Sequence, residues 1–198
     1  MTVRYPNGMK RQKYNTSATA NQFKSQYSNR GMTLEEDINV TNKFYLDTNK
    51  AIIYKKPTPI QIVNVHYPKR SAAVITEGYF QAKSTTDFNG LYRGEYIDFE
   101  AKETKNKTRF PLANIHEHQL NHMKQIVQHG GICFMIIRFT VHNETYLLQA
   151  DKLFQMIENR KETLKSLPYK TITQAGYEIP LRYPARVDYL PIIDQLYF

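Results

Sequence analysis

Residues 84–104 read STTDFNGLYRGEYIDFEAKET, and the alternation in this stretch decides the fold. A strand repeats every two residues, so Glu100 and Lys102 project from one face while Phe99 and Ala101 take the other. A carboxylate therefore stands beside an ammonium. The Asn89 and Gly90 pair predicts a hairpin turn, with one strand before it and a second from Tyr92 to about Thr104. A hairpin that lays Asp87 next to Glu100 makes two acids converge where a divalent metal such as Mg2+ needs hard oxygen ligands. Lys102 then steadies charge on a phosphate under attack, the chemistry of a metal-dependent phosphodiesterase. An E-x-K triplet alone reads more readily as a surface ion pair. The upstream acid at hairpin distance, Thr85 on the face of Asp87, and the basic chain favour the catalytic reading. Asp98 shares the Glu100 face, but an acid near a strand's start more often meets solvent or a lysine, so it is left out of the site.

Upstream, TLEEDINVTNKFYL offers Thr33 as N-cap, Glu36 three residues on, and helical apolar positions at Ile38, Phe44, Tyr45 and Leu46. This predicts a helix to about residue 48, then a strand AIIYKK halted by PTP. Two β-rich arms, IQIVNVHY and SAAVITEGYF, hinge at Pro68, Lys69 and Arg70. They predict a projecting two-stranded element that carries basic residues. Downstream, KNKTRFPL is a basic loop, and ANIHEHQLNHMKQIVQHGG a helix closed by glycine with Ile115, Leu120, Met123, Ile126 and Val127 buried. GICFMIIRFTV is a buried strand, ETYLLQA its partner, and DKLFQMIENRKETL a helix with an Asp cap. The tail YEIPLRYPARVDYLPIIDQLYF should close a sheet edge or join an oligomer contact. The whole order gives an α/β fold, a mixed sheet with helices on both faces.

The 198 residues suffice for one domain with an appendage, and no internal repeat is seen. Lys and Arg number 27 against 18 Asp and Glu, a formal +9 that favours a polyanionic partner. Residues 1–30 hold Arg4, Lys10, Arg11, Lys13, Lys24 and Arg30 without an acid, and read as a flexible basic arm ahead of a domain over 31–198. The start lacks a signal-peptide apolar core and no stretch approaches a membrane span, which predicts a cytoplasmic protein with no membrane partner.

His118 and His122 lie four apart on one helical face, a spacing able to bind zinc, but no third ligand is evident and a polar face near DNA is the preferred reading. Gln119, on the same helix, can turn its amide toward the acidic site. Glu35 and Glu36 open the first helix, where the dipole favours acids whatever their further role. Cys133 sits alone in an apolar strand and reads as packing.

Beyond these readings, D-x12-E-x-K in this order of elements resembles the PD-(D/E)xK nuclease superfamily. More narrowly, YSNRGMTLEED, KKPTPIQIVNVHYPKR, STTDFNGLYRGEYIDFEAKETKNKT and ADKLF resemble the RecU family of Holliday-junction resolvases, over nearly the whole chain from residue 27. The resemblance implies a restriction-endonuclease-like αβββαβ core with a projecting stalk inserted at about residues 58–79. It implies Mg2+ (with Mn2+ able to substitute) held at Thr85, Asp87, Glu100 and Gln119, with Asp87, Glu100 and Lys102 catalytic and Lys102 the transition-state stabiliser. It further implies a nucleoid-associated homodimer that nicks four-way junction DNA in symmetric pairs during recombination and DNA repair and modulates the RecA recombinase, with Arg70 sharing in the last. Lys56, Lys69, Arg70, Lys105 and Lys107 are the expected DNA contacts. The proline of the superfamily name is absent, since Thr86 precedes Asp87; the family shares that absence. A junction-binding or RecA-regulating protein that has kept only the nuclease fold is the alternative, and a restriction-type endonuclease on the same core a third.

Overall fold

Phe99 is fully buried, with the rings of Phe88 and Phe134 stacked on either side at 4.9 and 4.7 Å. These phenylalanines come from three neighbouring strands and point to one face of the sheet, while Asp87, Asn89, Asp98 and Glu100 beside Phe88 and Phe99 take the other. The structure, a computed structural model, describes residues 32–81, 85–159 and 165–198, so the expected basic arm at 1–30 lies outside the described residues. The unit from Leu34 to Phe198 is the one considered below.

Helix α1 (Leu34–Asp47) turns Leu34, Ile38, Thr41 and Tyr45 inward at the spacing of one helical stripe. Its first free N–H, at Leu34, donates to Glu103 at 2.9 Å, so a strand carboxylate caps the helix. Asp37 on the same turn is 2 % exposed and accepts from Arg138 at 2.7 Å and from Arg186, which pins the helix to the sheet and to the C-terminal segment. Strand β1 (Ile52–Lys55) follows. After an insertion come β4 (Phe88–Tyr92), β5 (Glu95–Thr104), helix α2 (Glu117–Gln128), β7 (Ile132–Phe139) and β8 (Glu144–Gln149). Counted without the insertion, α1, β1, β4, β5, α2 and β7 give the order αβββαβ.

The six-stranded sheet runs β1-β4-β5-β7-β8-β10, where β10 (Tyr177–Glu178) pairs with β8, so the tail closes that edge as expected. β5 and β7 are parallel, joined across α2, and the other pairs are antiparallel, which makes the sheet mixed. One face packs Ile97, Phe99, Phe134 and Ile136 against α1 and helix α5 (Leu190–Tyr197). The other packs Met135, Ile137 and Leu148 against α2, helix α3 (Ala150–Glu158) and helix α4 (Tyr169–Ala175). Cys133 is 2 % exposed in this second layer, and burial pushes its thiol far above the usual range, as packing requires.

Several local expectations change. The hairpin turn is at Arg93 and Gly94, both at positive φ (51° and 89°), and Asn89 and Gly90 lie inside β4. Gly90 is needed for a non-local reason: a Cβ there would meet the Ile52 carbonyl oxygen at 2.0 Å, because the paired strand β1, with Ile53 opposite Gly90, comes in this close. Asp151 falls in the first turn of α3 and Gln149 is the N-cap, so the acid favours the helix through its dipole. Helix α2 begins only at Glu117, after a 3-10 turn at Leu112–Asn114. A short ladder of β6 (Arg109–Pro111) with β9 (Ser166–Pro168) was not foreseen.

The insertion is a two-stranded ribbon, β2 (Ile60–His66) and β3 (Val74–Phe80), with its base closed by the Gln81 N–H on the Pro59 carbonyl at 3.0 Å. Every residue of both strands is exposed, including Ile60, Ile62, Val65, Ile75, Tyr79 and Phe80. No described helix is long and apolar enough to cross a membrane.

Candidate active site

The ladder that pairs Phe88 with Phe99 puts Asp87, the next residue outward, opposite Glu100. The Asp87 N–H donates to Glu100 Oε2 at 3.1 Å. Had the chain turned at Asn89 and Gly90, Asp87 would have met a residue near Tyr92; the turn at Arg93 and Gly94 is what joins the acids. Both are buried, Asp87 to 3 % and Glu100 to 0 % exposure. Lys102, two residues along the same face, places Nζ on Glu100 Oε1 and 3.9 Å from Asp87 Oδ2. The expected catalytic trio is therefore assembled in one place, on the layer that α2 only partly covers.

Burial, followed by the neighbouring Asp87 carboxylate, raises the Glu100 carboxyl from its ordinary 4.5 to about 8, with Lys102 pulling the other way. Once Glu100 ionises, two carboxylates face a single ammonium and leave a buried deficit of positive charge. A small divalent cation is the chemical species that would fill it, and carboxylate oxygens are the donors it prefers. Thr85 lies two residues before Asp87, half-buried, with Oγ1 donating weakly to the Thr86 carbonyl at 3.4 Å. Gln119 is buried in the first turn of α2, which packs on β5 and β7, and its Oε1 accepts from the His116 N–H at 3.1 Å, so its amide caps its own helix. Among the described residues no three His, Cys, Asp or Glu side chains gather as a metal cluster. Neutral oxygens such as those of Thr85 and Gln119 would have to complete any set built on Asp87 and Glu100.

Other candidates are dispersed. His122 turns to Asp98, with Nε2 3.4 Å from Oδ2, while His118 stacks on His116 at 5.3 Å, so the zinc spacing leads to different partners. Glu35 pairs with Lys55, and Glu36 is exposed. Lys69, Lys105 and Lys107 are exposed on the ribbon tip and the basic loop. Lys56 is not open to a partner in this way: it points inward to Asp98 at 2.6 Å.

Asp98, set aside in the sequence, meets a lysine but not solvent. It is 0 % exposed and holds Lys56, Thr86, Tyr96 and His122. Its partner Lys56 lies 42 residues away, so no local pattern announces the pair.

A family model described as "RecU: Recombination protein U" matches residues 29–195. The chain belongs to the RecU family. A protein of Oceanobacillus iheyensis named Holliday junction resolvase RecU is 60 % identical over 198 residues, covering 99 % of this chain and 100 % of that one. A like-named RecU protein of Bacillus subtilis is 56 % identical over 199 residues, covering 99 % of this chain and 96 % of its own. Among solved structures, Hjc of Archaeoglobus fulgidus, titled a Holliday junction resolvase, overlaps 69 % of this chain and 91 % of its own at a TM-score of 0.41 and 8 % identity.

Proposed function

We propose that this chain is an endodeoxyribonuclease that resolves Holliday junctions by phosphodiester hydrolysis during homologous recombination and DNA repair in the cytoplasm, at the nucleoid. The observation that carries the reading is the buried Asp87 and Glu100 pair with the Lys102 ammonium on the same strand face. Its near-full-length likeness to proteins named Holliday junction resolvase supports the substrate.

Asp87, Glu100, Thr85 and Gln119 would hold Mg2+, for which Mn2+ can substitute. When bound, the ion activates water and screens the phosphate charge. The chain's own groups do the rest. Lys102 faces the scissile phosphate and offsets the charge that builds on its oxygens in the transition state. The Asp87 N–H fixes one oxygen of Glu100, so that carboxylate enters the reaction already oriented. Glu100 has to give up its proton before it can serve a cation, and ion binding therefore releases a proton.

Paired symmetric nicks require two such sites related by a twofold axis. The β2–β3 ribbon supports a homodimer, because an isolated two-stranded ribbon with apolar residues on show is marginal in water and gains from a second copy. It would enter the junction centre, with Lys69, Arg70, Lys105 and Lys107 along DNA and Arg70 also serving the contact with RecA.

Competition between a four-way junction and a linear duplex of the same sequence tests the substrate. Preference for the junction is expected. Preference for the duplex would favour a restriction-type reading, and tight junction binding without cleavage in Mg2+ would favour a non-catalytic protein on a nuclease fold.

A further inference from the structure

The ribbon is inserted between Lys56 and Thr85, so its two ends must be held together if the acidic pair is to keep its geometry. The β1–β4 ladder, with Lys55 opposite Phe88, and the Gln81 N–H on Pro59 join them through backbone, and the Lys56 side chain adds a buried tie. Lys56 donates its backbone N–H to the Asp87 carbonyl at 2.8 Å, and its ammonium to Thr86 Oγ1 at 2.9 Å and Asp98 Oδ2 at 2.6 Å. Asp98 in turn accepts from Thr86 through its other oxygen, and from Tyr96 at 3.0 Å, with His122 of α2 at 3.4 Å. The end of β1, residues 85–87, β5 and α2 thus meet at one buried carboxylate.

We propose that Lys56, anchored by Asp98, is a positioning residue that holds the Thr85–Asp87 segment against β5 and isolates the acidic pair from movements of the ribbon. The proposal rests on the reading of Asp87 and Glu100 given above. Lys56 is mostly buried, its side chain 17 % exposed, and its ammonium is already committed to Asp98. A residue so placed acts through Asp87, in the way a hydrogen-bonded supporting partner fixes the group that does the chemistry. An unpaired buried carboxylate is costly, whereas removing both charges together is not. The double change Lys56→Met with Asp98→Asn therefore separates positioning from simple loss of fold.

Amide hydrogen exchange at Asp87 in the protein free of metal and DNA is the first readout. In the double variant, which should keep a thermal midpoint near the parent's, exchange at Asp87 rises tenfold or more, on the order expected for local opening. The single Lys56→Met change gives the same local loss with a lower midpoint. On a synthetic junction, kcat falls roughly 10–100-fold with KM unchanged, the range seen when a supporting partner is lost. Unaltered exchange at Asp87 overturns the proposal, as does a raised KM with kcat intact, which would make Lys56 a DNA contact. Because the exchange measurement needs neither metal nor activity, it decides the role of Lys56 even if the parent protein proves inert on junctions.

Discussion

Asp87 and Glu100 are held by a direct bond from the backbone of one to the side chain of the other, Asp87 N–H to Glu100 Oε2 at 3.1 Å. This contact depends on strand register, and register depends on where the hairpin turns. A shift of one residue would swing Glu100 to the aromatic face. The chemistry of the site is thus set by backbone pairing before any side chain is chosen.

Gly90 protects that register. Gly90→Ala would press a methyl group onto the Ile52 carbonyl and onto Ile53 Cα at 2.5 Å, so β1 must move away from β4. The expected loss is about 1–3 kcal/mol of stability, typical of overpacking. Urea denaturation checks it, and an unchanged midpoint would show that β1 yields freely.

The raised Glu100 carboxyl fixes the sign of a pH effect. Its folded value, about 8, lies above the ordinary 4.5, so the metal-free folded state binds more protons than the unfolded one between those limits. The stabilisation is fully present below about 4.5 and is lost as pH rises through 8, by up to roughly 1.4 kcal/mol per pH unit. Thermal melts of metal-free protein across this range should show the decline. Glu100→Gln should flatten it.

Lys102→Met should slow junction cleavage by roughly 10²–10³-fold, the usual effect of losing one donor to transition-state charge. Metal affinity, followed by calorimetric titration, should hold or rise, since an ammonium leaves the Glu100 oxygen. A large drop in metal affinity would make Lys102 an organiser of the ligands.

Replacing the ribbon from Ile60 to Phe80 with a short linker should leave the domain folded, because no ribbon side chain enters the core and Lys56 still ties the cut ends. Junction affinity and the proposed self-association should both weaken. Sedimentation and gel-shift measurements check the pair, and undiminished junction binding would remove the ribbon from the account.

Much of this was legible because it is local. The two-residue period put Glu100 and Lys102 on one face, the 3.6-residue period marked α1 and α2, and the order of these elements set the sheet. Asn89 and Gly90 misled because a glycine signals a turn locally, while Gly90 serves a close approach by β1, thirty-odd residues upstream, roughly the reach of an inserted ribbon. The pairing of Asp98 with Lys56, 42 residues apart, is hidden for the same reason. Each looks like a solvated charge along the chain, and only the folded sheet brings them together.

Cleavage of a synthetic mobile four-way junction in Mg2+ by the parent protein and by Glu100→Ala tests the central claim most directly. Paired, symmetric nicks by the parent are expected, and none by the variant, which should still bind the junction. Cleavage by Glu100→Ala at a near-normal rate would contradict it.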